Sequence, residues 1–598
     1  MSSVSQPLSG KTEGGPAAVS SHVSRWLEAL VLLLLPVLTF WLFNLRPVHQ
    51  ATSLDPYFYT GYINNAEDML KRFGLPYYAV RFGLIVPGRF FSWALGPEPG
   101  YFALRYVFAL LGGIPLYLLA KRKFSAPVAL MAYCALIFSP WFARTLLWDH
   151  PDASGVPCLM AAMCLLLLAR TASWWRDGLA GCCFSLAVNS NMFTAVIFGI
   201  FGAFYVVFSF FYGTRWRTLL SRAMRFTAGF VLVLAGGYSY YWHIFGEPRD
   251  IFKPTFEMTN HLVHGGMKNY RLVGDKWLSD FFYVFVPVLI ALCCVAICVR
   301  RHTRFEVAVC AASGTLVVGF FFAHQFLMDG DTLQLFYYTS YAIPTTFLML
   351  VCIWQALWER FGGSLGIWLA VSLVATLIPF LLISGGVTVF ERVAPPTWTK
   401  LAAVTLAVVS LTGFSWHARW LCNTLVLASL VLVALSVATG FSGYNPYRTV
   451  RPFSVRDDTE RDSYRVALQL IAEAPRLSDG PGRLVFWYNN RAANPINSIQ
   501  STFLWGESKI NQNPPSGLGM PILGPFQMKV LRDPGVRYLV LLGETPAEIR
   551  DGLQAISQAG IGYDLLSTRD LHSGALHVYW QLIELTTRPA APAEVAPK

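Results

Sequence analysis

Runs of roughly twenty apolar residues recur along this chain, separated by short clusters of Lys and Arg, and each run is long enough for one helical passage through a bilayer. They fall near 26–45, 101–120, 125–146, 153–170, 177–193, 194–212, 226–245, 279–299, 306–327, 335–357, 364–386, 400–414 and 420–440, about 13 spans in all. Hydrophobic residues fill 55% of the 598 positions and charged residues 13%, with a mean hydropathy of +0.46. Such a chain cannot present a charged, water-soluble surface. The expected fold is a polytopic α-helical membrane protein whose first partner is the lipid bilayer. The formal charge of +12 sits in the clusters between spans, where membrane loops carry it, so no nucleic-acid partner is implied. All eleven cysteines lie inside or beside apolar runs without metal-ligand spacing, which argues against a disulfide framework or a cysteine metal site.

Charge between the spans orients them. With a cytoplasmic N-terminus, alternate loops hold Lys121, Arg122 and Lys123; Arg170 and Arg176; Arg215, Arg217, Arg222 and Arg225; and Arg300, Arg301 and Arg304. The loops 147–152 and 328–334 on the other side contain no Lys or Arg, a positive-inside pattern. An odd number of spans then puts 46–100, 246–278 and the C-terminal region outside. The domain plan is a disordered cytoplasmic tail (1–24), a membrane module (25–440), an outer-face α/β domain (441–586) and a disordered end (587–598). In that domain 463–474 has helical periodicity, "RLVFWY", "RYLVLLG" and "ALHVYWQLIEL" read as strands, and "PAEIRDGLQAISQAG" reads as a helix stopped at Gly560. The chain contains no Asn-x-Ser/Thr sequon, which favours a bacterial inner membrane.

The outward segments concentrate the chemistry. After the first span, "SLDPYFYTGYINNAEDMLKRF" repeats apolar residues at helical steps with a polar opposite face, the pattern of an interfacial helix. Asp55 before Pro56 is a good helix start, and equally an acidic group at the membrane mouth. Asp149, His150 and Asp152 in "WDHPDASG" open the fourth span, and Asp329 and Asp331 precede the tenth. Carboxylates gathered at one membrane level can hold a divalent metal or act as a base. On the same side Arg81, Arg89, Lys268 and Arg271 run against the positive-inside bias, which suggests an anionic ligand such as a headgroup phosphate.

With "LDPYF" in the first outer loop, "WDHPDASG" at the fourth span, about thirteen spans and an outer C-terminal domain, the chain resembles the GT-C superfamily of polyprenyl-phosphate-sugar-dependent glycosyltransferases. The acidic motifs are similar to those of the oligosaccharyltransferase catalytic subunit, and the plan to bacterial protein-mannosyltransferase and aminoarabinose-transferase relatives. It departs from the former in lacking a Trp-Trp-Asp motif, the nearest string being "FWYNN" at 486–490, and from the latter in having Asp55-Pro56 where an Asp-Glu pair is usual.

The resemblance implies an inverting transfer of a sugar from a polyprenyl-phosphate or polyprenyl-diphosphate donor to a lipid, glycan or protein acceptor. Asp55 would be the base or a metal ligand; Asp55, Asp149 and Asp152 would hold Mg²⁺ or Mn²⁺; Arg81, Arg89, Lys268 and Arg271 would bind the donor phosphate. The alternative, a lipid-linked-saccharide flippase, calls for ionisable residues deep in the spans. Arg105, His243 and Glu306 are among the few such residues, and they lie near span ends.

Overall fold

Helices form where the apolar runs lie, because backbone N–H and C=O groups in a bilayer must be satisfied within the segment. A computed structural model of the chain describes residues 17–42, 55–147, 150–168, 174–264, 287–288, 290–292, 294–295, 304–328, 333, 336–361, 459–473, 483–488 and 531–587. The helices of the membrane module are α1 (Ala17–Leu42), α2 (Asp55–Phe73), α3 (Phe82–Leu95), α4 (Pro97–Lys123), α5 (Ala126–Ile137), α6 (Pro140–Leu147), α7 (Asp152–Leu168), α8 (Trp174–Val188), α9 (Phe193–Phe211), α10 (Trp216–Phe245), α11 (Lys253–His264), α12 (Phe305–Phe326), α13 (Phe336–Thr339) and α14 (Ile343–Phe361). A 3₁₀ turn, Ser340–Ala342, joins the last two.

Among the described residues, α4, α9, α10 and α12 are long and apolar enough to cross a membrane. The expected run at 125–146 is two helices, α5 and α6, divided before Pro140, whose ring cannot follow an unbroken helical turn. The expected spans 364–386, 400–414 and 420–440, and most of 279–299, lie outside the described residues. Helix α1 starts at Ala17, within the stretch expected to be a disordered tail.

Helix α7 is the axis of the bundle. Every residue from Asp152 to Leu168 is buried, with α4 and α8 packed on it. Helices α8 and α10 approach until their backbones touch: a Cβ on Gly181 would lie 1.9 Å from the Phe226 carbonyl oxygen, and one on Gly229 1.9 Å from that of Gly178. Small residues permit such contact, and in lipid close packing is what holds helices together.

One end of the bundle is a ring of ion pairs. Lys121 bonds Glu28, Lys123 Nζ lies 2.8 Å from Glu306 Oε1, and Arg304 Nη2 lies 3.0 Å from Glu359 Oε1. Arg222 grips the buried Asp177 through Nε at 3.0 Å and Nη2 at 2.9 Å, while Arg225 approaches it at 3.6 Å. Arg222 also donates to the Leu166 carbonyl at 3.1 Å. These residues belong to the clusters that set the expected cytoplasmic side.

The C-terminal region folds as α14 is left behind: α15 (Thr459–Glu473), β1 (Arg483–Tyr488), β2 (Val536–Gly543), α16 (Pro546–Gln558), β3 (Gly562–Ser573) and β4 (Leu576–Thr587). The sheet order is β1-β2-β4-β3, parallel between the first two strands and antiparallel elsewhere. Leu539, Leu541, Ile549, Ile556 and Ile583 form the core between α16 and the sheet. Thr545 caps α16 by accepting from Glu548 N–H at 3.4 Å, and Glu548 Oε2 accepts from Glu544 N–H at 3.1 Å, close to a capping box. Gly560, in the left-handed region at φ 72°, ends it as expected. Arg465 on α15 clasps Glu98 at the start of α4 through Nη2 at 2.9 Å and Nε at 3.3 Å. The α/β domain is therefore tied to the bundle end opposite the ion-pair ring.

Candidate active site at the bundle mouth

At the end opposite the ring, the amphipathic segment folds back on itself. Helix α2 kinks at Asn65, whose φ of −132° and ψ of 42° are not helical. The kink frees the Asn64 carbonyl, which accepts from Arg89 Nη1, and Asn64 Oδ1 accepts from Ser92 Oγ at 2.7 Å. An elbow of α2 on α3 results, closed by buried Tyr62, Ala66, Met69 and Leu70 against Phe82 and Ile85. The N-terminus of α3 docks on the end of α8: Gly83 N–H donates to the Asn189 carbonyl at 3.3 Å. A Cβ on Gly83 would stand 2.1 Å from the Leu186 carbonyl oxygen, so only glycine fits there.

This docking carries Arg81 inward. It is 3% exposed, its guanidinium lies 4.2 Å above the Tyr77 ring, and its Nε makes no hydrogen bond among the described residues. Asp152, in the first turn of α7, is 0% exposed. Its Oδ2 accepts from Ser340 Oγ at a long 3.4 Å; its Oδ1 makes no hydrogen bond among the described residues, though His150 Nδ1 lies 3.4 Å away. Between them stands Tyr341, whose polar surroundings are Asp152, Arg81, Asn191 and Tyr77. Tyr59 of α2 meets the His150 ring edge-on at 5.6 Å. Beneath, Ser154 and Ser190 join α7 to the end of α8 with a 2.7 Å hydroxyl contact.

Burying charge costs several kcal/mol unless it is matched, so native interiors satisfy nearly all such atoms. Here a carboxylate oxygen and a guanidinium N–H are buried at one mouth without a hydrogen bond among the described residues. That arrangement offers a negative and a positive contact to something that enters.

Of the residues singled out from sequence, Arg81 and Asp152 come together around Tyr341. Asp55 is the first residue of α2. Arg89 lies at the elbow instead, with one of its N–H groups on Asn64. Asp149, Lys268 and Arg271, with Asp329 and Asp331, lie outside the described residues.

Sequence reasoning did not single out Tyr77, Tyr341 or Ser340, since tyrosines among apolar residues read as packing. It also left Arg105 at a span end. In the structure Arg105 is 1% exposed, 4.9 Å over Tyr101, and lines a cleft with Tyr59, Thr60 and Asn64 next to the mouth. An arginine two turns into an apolar helix was the available signal.

Residues 98–241, from the start of α4 to near the end of α10, match the family described as dolichyl-phosphate-mannose-protein mannosyltransferase. No curated protein matches. Solved structures similar to the chain include ArnT from Cupriavidus metallidurans. In its apo state it is 14% identical, with TM-score 0.44 and coverage of 95% of this chain and 98% of that one. Bound to undecaprenyl phosphate it is 14% identical, with TM-score 0.47 and coverage of 94% and 98%. The Archaeoglobus fulgidus oligosaccharyltransferase, in complex with Zn and sulfate, is 12% identical, with TM-score 0.39 and coverage of 90% and 72%. These are distant likenesses. The matched segment spans α4, α7 and α8, the helices that carry Asp152 and the docking site of α3.

Proposed function

We propose that this chain is a membrane glycosyltransferase that moves a sugar from a polyprenyl-phosphate or polyprenyl-diphosphate donor to an acceptor group on the outer face, with inversion at C1. The observation that carries the reading is the pair of buried atoms without a hydrogen bond among the described residues, Asp152 Oδ1 and Arg81 Nε, at the mouth of a bundle whose residues 98–241 match a mannosyltransferase family. In the reaction the bond between C1 and the donor phosphate oxygen breaks, and the phosphate leaves with its electrons. The acceptor oxygen forms the new bond to C1 from the opposite face, and its proton passes to a carboxylate.

Arg81 stabilises the charge that develops on the leaving phosphate, in a site where water is excluded and the interaction is correspondingly strong. Arg89, Lys268 and Arg271 would serve the same phosphate, Arg89 with the donors it keeps beyond the one on Asn64. Asp55 is the base, or orients the acceptor. The small cleft beside Arg105 is lined by Tyr59, Thr60 and Asn64 of α2, Leu84 of α3 and Tyr101 of α4.

The orphaned carboxylate oxygen of Asp152 fits a divalent ion such as Mg²⁺ or Mn²⁺, which takes hard oxygen ligands. Asp152 would hold it with Asp55 and Asp149, and it would neutralise phosphate charge. The α/β domain, joined to α4 by Arg465, stands on the outer face of a bacterial inner membrane and contributes to acceptor docking.

The test is transfer by the purified chain in detergent, with a panel of polyprenyl-phosphate sugars as donors. Wild type should release polyprenyl phosphate from one of them. Asp55→Asn should stay folded, because Asn caps a helix about as well as Asp, yet lose on the order of 10²-fold in rate. Translocation of a lipid-linked sugar across vesicles without any transfer would replace this reading with the flippase.

A further inference from the structure

The β3–β4 hairpin carries a cluster with no part in the chemistry above. Its register pairs Asp570 with Tyr579 and His572 with His577, and alternate residues of a strand share a face. Asp570, His572 and His577 therefore stand together on one side of the hairpin, close to its turn at Gly574. Val578 points the other way and is fully buried. The side chains of Asp570, His572 and His577 are 50%, 71% and 44% exposed. They already converge: His577 Nε2 bonds Asp570 Oδ1, His572 Nδ1 lies 3.9 Å from the same oxygen, and the two imidazole centroids are 5.5 Å apart. One ligand atom from each lies within 4.8 Å of the others, and no other group of three His, Cys, Asp or Glu does so among the described residues.

We propose that Asp570, His572 and His577 form a binding site for a divalent transition-metal ion, Zn²⁺ in the first instance. Two imidazole nitrogens and one carboxylate oxygen suit zinc or its neighbours in the first transition row better than Mg²⁺ or Ca²⁺. In a tetrahedral zinc site ligand atoms stand about 3.3 Å apart, so the present spread closes by side-chain rotation on a rigid two-strand frame. The ion takes the place of the proton shared by His577 and Asp570. Three protein ligands leave the fourth position to water, the composition of an open rather than a closed site. Binding cross-links β3, an edge strand among the described strands, to β4.

The experiment is calorimetric titration of the full chain in detergent, stripped with chelator, with ZnCl₂, together with the spin-resonance spectrum of the Cu²⁺-loaded protein. Wild type should bind one more equivalent of Zn²⁺ than the H572A/H577A double variant. Cu²⁺ should show nitrogen couplings that the variant lacks. Asp570→Asn should weaken that equivalent at least about tenfold, since even outer partners of a metal cost 10- to 100-fold when removed. Asp152→Asn should keep it, which separates it from any ion at the membrane mouth. Equal stoichiometry and equal affinity in the double variant, or no saturable Zn²⁺ binding by wild type, would overturn the proposal.

Discussion

The two ends of the helical bundle treat charge in opposite ways. At the end that carries Lys121, Lys123, Asp177, Arg222, Arg304 and Glu306, ionised groups meet partners of opposite sign, and the buried Asp177 is held by Arg222 and approached by Arg225. At the other end Asp152 is more deeply buried than any of these, and among the described residues neither its Oδ1 nor Arg81 Nε makes a hydrogen bond. The first end is a structural lock. At the second, charge is left without a full set of partners among the described residues, which is the basis of the proposal that a charged substrate binds there. Where a site holds unmatched charge, activity is bought with stability.

The comparison can be broken at either end. The largest effect is expected at the lock: Arg222→Ala strands the buried Asp177 carboxylate and should destabilise the fold by about 3–5 kcal/mol, read as a fall in melting temperature in detergent. At the mouth Asp152→Asn should lower transfer on the order of 10²-fold with no loss of melting temperature, because it removes a buried charge that is only partly matched. Arg81→Ala should cost about 1.5–3 kcal/mol in use of the donor, the scale of one charge-assisted hydrogen bond, and should show in kcat/KM measured against donor concentration. Arg465→Ala breaks the clasp on Glu98, whose members are 43% and 26% exposed. It should shift stability by no more than about 1 kcal/mol, as exposed ion pairs do. A larger loss would mean that the α/β domain is integral to the membrane module.

Much of this contrast was legible in the residues. The basic clusters announced the paired end, and scarcity of carboxylates in an apolar chain drew attention to Asp152. The other half of the mouth was hidden, because Tyr341 and Ser340 approach Asp152 from 188 residues away in the case of Ser340, and no local pattern encodes such a contact. Helix α3 escaped notice since "FGLIVPGRFFSWAL" contains Pro87 and is short, although the elbow with α2 depends on it. Strand β3 was missed for a different reason. It is an edge strand with mostly exposed residues, so it lacks the apolar alternation that betrayed β2. Arg89 shows the limit of charge reading: sequence presents a cation beside Arg81, whereas the kink at Asn65 presents that cation with a carbonyl oxygen to bind.

Metal dependence sharpens the mouth further. If Asp152 holds a divalent ion for transfer, chelator should abolish turnover and Mg²⁺ or Mn²⁺ should restore it, with Asp152→Asn shifting the restoring concentration upward. Activity indifferent to chelator would leave the carboxylates to act as base and positioning groups alone.

The most direct measurement pairs Asp177→Asn with Asp152→Asn, each assayed for melting temperature and for sugar transfer in the same detergent. Both replace a buried carboxylate by its neutral isostere. Asp177→Asn should lower the melting temperature by several degrees and reduce transfer only in proportion to the protein lost. Asp152→Asn should melt at or above the wild-type temperature and transfer almost nothing. An Asp152→Asn protein that melts as early as Asp177→Asn, or one that transfers sugar as wild type does, would contradict the account.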